Sequence, residues 1–168
     1  MTLINQLPQK VQKELHNKSL LKIISGLNNF DTESVCMIAK AASLGGADVI
    51  DIACQPFLVE KVLEITTLPI CVSAVEPVLF IDSVQAGATF IEIGNFDSFY
   101  EKGINFSADQ VLSLTKETKD LLPNTPLSVT VPHTLSLDKQ VDLSIQLIKE
   151  GVDIIQTEGG KSSKPYSS

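Results

Sequence analysis

Three stretches of the chain carry one pattern: GADVIDIA at 46–53, GATFIEIG at 87–94 and GVDIIQTE at 151–158. Each opens on a glycine that stops a helix, passes through a small and a polar residue, and enters an apolar strand. The fifth residue after each glycine is polar: Asp51, Glu92 and Gln156. Side chains alternate faces along a strand. Ile50 and Ile52 therefore lie opposite Asp51, Ile91 and Ile93 opposite Glu92, and Ile155 and Thr157 opposite Gln156. A sheet covered by helices on both faces should be apolar throughout. One apolar face and one repeatedly polar face fit a closed barrel instead, with the isoleucines against outer helices and the polar residues aimed at the axis.

The rest of the chain supplies the matching elements. Apolar runs of strand length lie at 20–27, 48–53, 69–75, 89–94, 126–131 and 152–157. Helical patterns separate them. Asp31 or Thr32 caps a helix that stops at Gly45-Gly46. Pro56 and Pro77 sit at the first helical position of the next two. Ser107-x-x-Gln110 is a capping box for a helix ending before Pro123, and Ser136 caps one closed by Gly151. A further helix, about 8–18, precedes everything, with Leu7, Val11 and Leu15 on one face.

Alternation of strand and helix means a parallel sheet with crossover helices. The expected fold class is α/β: an incomplete TIM (β/α)8-type barrel with six parallel strands present and strands seven and eight missing. In such a barrel each interior layer comes from alternate strands, and Asp51, Glu92 and Gln156 fall on strands two, four and six. A TIM barrel takes typically about 250 residues, whereas this chain has 168. Either the sequence is a fragment, or a second polypeptide or another copy of this chain is expected to complete the barrel. A six-stranded flavodoxin-like sheet is the alternative that suits the length. The expected organisation is a single partial-barrel domain over 1–160 and a polar tail, KSSKPYSS, over 161–168.

Charge narrows the partners. The net charge is −7 and all 13 basic residues are lysines. Nucleic acid, which needs a cationic face, is not expected. Without arginine there is no bidentate fork for phosphates or carboxylates. No apolar run approaches the roughly 18 residues of a membrane helix, so no membrane association is expected. Cys36, Cys54 and Cys71 are odd in number and widely spaced, which reads as reduced thiols and no zinc site.

Five stretches then point to a family. IISGLNNFD (23–31), LPICVSAVEP (68–77), FIEIGNFDSFYEKG (90–103), SVTVPHTLSLDKQ (128–140) and DIIQTEGG (153–160) closely resemble the hypothetical chloroplast reading frame 23 family of algal plastids and cyanobacteria. The resemblance runs nearly the whole chain. It implies a TIM barrel of the phosphate-binding type, located in the plastid stroma, or in the cytoplasm of a cyanobacterium. It assigns no catalytic residue and no cofactor. Members of the family continue past the TEGG motif, so the phosphate site that such barrels build after strands seven and eight is expected to be missing here.

Active sites of these barrels lie at the carboxyl ends of the strands. Asn28, Asn29, Cys54, Glu76, Asn95, Asp97, His133, Glu158, Gly159 and Gly160 follow the strands directly. His133 can act as a general acid or base near neutrality; alternatively its ring satisfies loop carbonyls. Glu158 lies two residues above Gln156 and points the same way, toward the barrel mouth. Gly159 and Gly160 can present backbone N–H groups to an anion. Asp51 and Glu92 lie deeper. Two carboxylates in one layer should repel and one pKa should rise; such a pair serves either acid–base chemistry or a structural network with hydroxyls and a lysine. Lys22 is a counter-charge or a Schiff-base lysine if it faces inward, but aligning Ser25 with Ser73 and Thr130 would turn it outward. Nothing visible would activate Cys54. No residue is assigned to a metal, because Asp51 and Glu92 match no ligand spacing. The expected reading is an enzyme of small-molecule metabolism with His133, Glu158, Glu92 and Asp51 as catalytic candidates. Asn28, Asn95, Gln156, Gly159 and Gly160 are the substrate-binding candidates. A non-catalytic barrel that binds a metabolite or a protein is the alternative.

Overall fold

A computed structural model describes residues 2–94 and 96–159, with six strands in sequence order in one parallel sheet. The strands are β1 (Lys22–Ile24), β2 (Val49–Ala53), β3 (Ile70–Ala74), β4 (Phe90–Ile93), β5 (Leu127–Val131) and β6 (Ile154–Thr157). The helices are α1 (Gln9–Asn17), α2 (Thr32–Leu44), α3 (Pro56–Leu63), α4 (Leu79–Gln85), α5 (Asp97–Tyr100), α6 (Ala108–Leu121) and α7 (Leu137–Lys149). The strands form an incomplete TIM-type barrel whose sheet edges are β1 and β6. Consecutive parallel strands in this order leave no room for the flavodoxin-like alternative, which requires a change of winding direction. Asn95, Gly160 and the tail 161–168 lie outside the described residues.

The repeated prefix explains how each strand starts. Gly46, Gly87 and Gly151 have φ of +81°, +115° and +79°, the left-handed region in which a side chain is strained. The polar residue two places on then ties its strand to the one before. Asp48 accepts from the Leu21 N–H at 2.9 Å, Thr89 from the Ile70 N–H at 3.2 Å, and Asp153 from the Leu127 N–H at 2.9 Å. A polar side chain at this point satisfies the first donor of the preceding strand, which the ladder leaves unpaired.

Two apolar clusters lie on opposite faces of the sheet. Ile50, Ile52, Ile91, Ile93 and Val129 pack outward against the helices. Val49, Cys71 and Phe90 face inward and meet Leu7 and Val11. The chain segment Leu7 to α1 thus plugs the amino-terminal end of the barrel with apolar side chains. That burial also accounts for the face bearing Leu7, Val11 and Leu15 in the sequence.

Several local features differ from expectation. β1 has three residues rather than eight, because its ladder runs only to β2 and the chain turns at Gly26, where φ is +109°. α4 starts at Leu79, since Pro77 and Val78 form a turn with Phe80 N–H bonded to Pro77 O at 3.2 Å. Ser136 holds the N-cap position of α7 but its hydroxyl makes no cap hydrogen bond. Asp31, rather than Thr32, caps α2, and the Ser107–Gln110 box on α6 is complete.

Candidate functional site

Two polar clusters occupy the barrel, one inside it and one at its carboxyl-terminal mouth. The inner cluster is built by register. Partners across parallel strands point the same way, and Ile24 pairs with Asp51, Ala53 with Ser73, Ser73 with Glu92, Glu92 with Ser128 and Thr130 with Gln156. Lys22, two residues before Ile24, therefore faces inward, and the alignment of Ser25 with Ser73 and Thr130 is off by one residue. The Lys22 ammonium donates to Asp51 Oδ2 at 2.9 Å and to Glu92 Oε2 at 2.5 Å. Ser73 donates to Asp51 Oδ1 at 2.7 Å. Ser128, Thr130 and Gln156 donate to the Glu92 carboxylate at 2.9, 3.5 and 3.2 Å. Asp51 and Glu92 side chains are 1% and 0% exposed, so each carboxylate depends on these donors in place of water.

Burial, and then the Glu92 charge, push the Asp51 carboxyl up to about 6, against the opposing pull of Lys22 and Ser73. Burial works against the Lys22 ammonium as well. The two carboxylates outweigh it and hold its pKa above the usual lysine range. Burial keeps the Cys71 thiol far above its usual value and therefore protonated. The amine is thus locked as an ammonium, the wrong state for Schiff-base formation.

The Asp51 shift has a consequence for stability. Its folded-state pKa is above the unfolded value, so the native state binds that proton more tightly. The corresponding stabilisation is complete below about pH 4 and lost as pH rises through about 6, on the order of 3 kcal/mol. Urea unfolding of the wild type and Asp51→Asn at pH 4 and pH 7.5 should show the wild type losing stability relative to the variant as pH rises. Parallel pH profiles would refute the assignment.

The mouth cluster centres on Glu158. Its Oε2 accepts from the Tyr100 hydroxyl at 2.8 Å, from the His133 N–H at 3.1 Å and from His133 Nδ1 at 2.8 Å. An ionised carboxylate only accepts, so Nδ1 carries the hydrogen. Tyr100 packs edge-on against the His133 ring, with centroids 5.1 Å apart. Burial, reinforced by the bond to Glu158, holds the Tyr100 phenol above its ordinary pKa, so it remains a donor. The Glu158 side chain is only 6% exposed, and its Oε1 is buried with no hydrogen-bond partner among the described residues.

The remaining candidates separate. Asn28 and Asp97 line a shared cavity of about 490 Å³, and Gly159 lines one of about 360 Å³ with Asp97, Gln156 and Glu158. Asn29 is used structurally, donating to Ser25 O and Ser34 Oγ at 3.2 Å. Glu76 is exposed. Cys54 turns away from the axis, its thiol 3.3 Å from both Leu79 O and Ser83 Oγ, and burial pushes it up to about 11. Tyr100 escapes sequence reasoning: it lies on the four-residue α5, which follows no strand end directly. The aromatic-rich run FDSFY is the signal that an ordered segment sits there.

With the geometry in place, relatives can be compared. Residues 5–168 match DUF561, described as a protein of unknown function. The chain belongs to this family. It is 56% identical over 151 residues to the uncharacterised protein ycf23 of Cyanophora paradoxa, covering 89% of this chain and 62% of that protein. Against ycf23 of Pyropia yezoensis it is 39% identical, covering 91% of this chain and 56% of that protein. The DUF561 chain thus spans about six-tenths of the length of these relatives, and the chloroplast reading frame resemblance is borne out. The algal relatives point to a plastid origin. Among solved structures, QR15, an aldolase, aligns with TM-score 0.63 at 15% identity over 88% of this chain and 69% of that one. 2,3-Dimethylmalate lyase aligns with TM-score 0.63 at 14% identity over 96% and 63%. At these identities the likeness establishes the TIM-type fold. No described helix is long and apolar enough to cross a membrane.

Proposed function

We propose that the chain carries the reactive centre of a stromal small-molecule enzyme that moves a proton at carbon, or breaks a carbon–carbon bond, in an anionic carbonyl metabolite, phosphorylated ones included. The observation that carries this reading is the buried Glu158 carboxylate holding His133 through both its ring Nδ1 and its backbone N–H, at 2.8 and 3.1 Å. A carboxylate on Nδ1 fixes the tautomer and orientation of an imidazole and presents the opposite nitrogen as the acid–base group. Tyr100 steadies that carboxylate. Asp51 and Glu92, joined by Lys22, form a rigid polar floor below it, with Gln156 linking floor to mouth. Asn28, Asn95, Gly159 and Gly160 contribute to binding the substrate. The aldolase and lyase activities of structural neighbours agree with this class of chemistry.

A second reading, a barrel that binds a metabolite or a protein without chemistry, is favoured by one feature. The inner carboxylates are fully engaged by Lys22, hydroxyls and Gln156, as in a scaffold.

Proton exchange separates the two. The chain is incubated in D2O with pyruvate, oxaloacetate, glycolaldehyde phosphate and dihydroxyacetone phosphate, and loss of the α-proton signals is followed by NMR. Exchange is expected on at least one probe, falling by about 10²–10⁴ in His133→Gln. Line shifts with a probe but no exchange support the binding barrel. Exchange that persists unchanged in His133→Gln would overturn the assigned role.

A further inference from the structure

A third cavity, of about 140 Å³, lies at the carboxyl-terminal ends of β2 and β3. Its apolar walls come from Leu27, Phe30, Ala74, Leu79 and Phe99. Phe30 and Leu79 are 55% and 41% exposed. Two more large apolar side chains stand exposed close by in the chain, Phe57 at the start of α3 and Val78 just before α4. A single exposed apolar residue needs no explanation. Several at the end of the barrel where active sites lie, two of them in the wall of one cavity, mark a place for a ligand.

The polar groups of the cavity narrow that ligand. The Cys54 thiol and the Ser73 hydroxyl line it but are engaged, the first 3.3 Å from Leu79 O and Ser83 Oγ, the second donating to Asp51 at 2.7 Å. Among the described residues the lining holds one carboxylate, Glu76, and no cation. A phosphate or a second carboxylate placed there meets a like charge and no counter-ion, which selects against it. A neutral apolar group meets no such opposition, and a cavity of about this size holds a benzene-sized body. The cavity also adjoins the mouth. It shares Leu27 and Asn28 with the cavity of about 490 Å³, which shares Asp97 with the one beside Gln156 and Gly159. Phe99 in its wall directly precedes Tyr100, whose hydroxyl donates to Glu158.

We infer that this cavity is a specificity pocket for the tail of the substrate, and that the substrate is a 2-oxo acid with a branched aliphatic side chain. The inference rests on the mouth cluster being the reactive centre and names the substrate class it takes. The carboxylate and carbonyl stay at the mouth, and the branched end fills the pocket against Phe30, Leu79 and Phe99. Pyruvate leaves the pocket empty. 2-Oxoglutarate is rejected, because its second carboxylate is driven toward Glu76.

The test measures affinities of the full chain for pyruvate, 4-methyl-2-oxopentanoate and 2-oxoglutarate by ligand-observed NMR at pH 7.5. The branched probe should bind about tenfold or more tightly than either of the others. Phe30→Ala removes a half-exposed apolar wall and should abolish most of that advantage while leaving pyruvate unchanged. Glu76→Lys, at an exposed position, should turn the preference toward 2-oxoglutarate by about tenfold. Circular dichroism verifies both variants, and should Phe30→Ala fail to fold, Glu76→Lys decides the matter. No binding of any probe, equal affinity for all three, or a preference that neither variant moves would overturn the inference. The D2O exchange assay is run on the same samples. Exchange on pyruvate with no preference for the branched probe ends the pocket and leaves the enzyme reading standing; the preference without exchange on any probe does the reverse.

Discussion

Replacing Lys22 by methionine should destabilise the fold at pH 8 by about 3–5 kcal/mol, the usual effect of removing one partner from a buried ion pair. Methionine nearly matches the shape of the lysine stem, so little of the loss comes from packing. The loss comes from Asp51 and Glu92. Their side chains are 1% and 0% exposed and would face each other with hydroxyls and an amide but no cation. Ser73, Ser128, Thr130 and Gln156 supply hydrogen bonds, yet a neutral donor does not cancel the repulsion of like charges in a low-dielectric interior.

The pH dependence of that loss identifies its cause. Asp51 already holds its proton up to about pH 6, and without Lys22 it will hold it higher. At pH 5 Asp51 in the variant is therefore a neutral acid, the like-charge repulsion is gone, and the penalty should shrink to about half or less. Adding Asp51→Asn and Glu92→Gln to Lys22→Met should recover most of the loss at pH 8, since replacing a whole buried ionic group is far less harmful than breaking it. Urea unfolding of the single and triple variants at pH 5 and pH 8 measures all four quantities. A loss under about 1 kcal/mol at pH 8, or one equal at both pH values, would show that Lys22 is not the counter-charge of this cluster.

The same cluster shows what a sequence can and cannot reveal here. Asp51, Glu92 and Gln156 were legible because the alternation of side chains acts within a single strand, and the flanking isoleucines (with Thr157 after Gln156) fixed the faces. Lys22 was not, because β1 has three residues and no alternating pattern of its own. Its orientation follows from pairing with β2, a long-range fact. His133 and Glu158 were each legible as residues at strand ends. Their bond was not, because it depends on β5 pairing with β6 in the register that sets Val131 beside Thr157. Tyr100 reaches that pair from α5, after β4, and a four-residue helix leaves no periodic signal. Cys54 continues the alternation of β2: Asp51 and Ala53 face the axis, so Cys54 faces outward to Leu79 and Ser83 of α4, an orientation the strand pattern already carried.

Gly94 is where the fold and the mouth meet, and Gly94→Ala should have the second largest effect. A Cβ at this position would lie 2.1 Å from Thr130 Oγ1, 2.7 Å from Thr130 Cβ and 3.2 Å from Glu92 Oε1. Rotating the threonine relieves the first contact but not the second, so the ends of β4 and β5 must separate. Thr130 is 1% exposed, and overpacking a closed site of this kind costs about 1–3 kcal/mol or more. Gly94→Ala combined with Thr130→Gly removes the clashing atoms, and the pair should be less destabilising than the sum of the singles by about 1 kcal/mol or more. The consequence reaches the site, because Asp97 begins α5 three residues after Gly94. A shifted β4 end should carry Asp97 away from His133 and Glu158. Folded Gly94→Ala should then slow the D2O exchange at least about tenfold, and the double variant should regain part of that rate. Additive unfolding energies together with an unchanged exchange rate would mean that β4 and β5 yield freely at this point and that the mouth does not depend on their spacing.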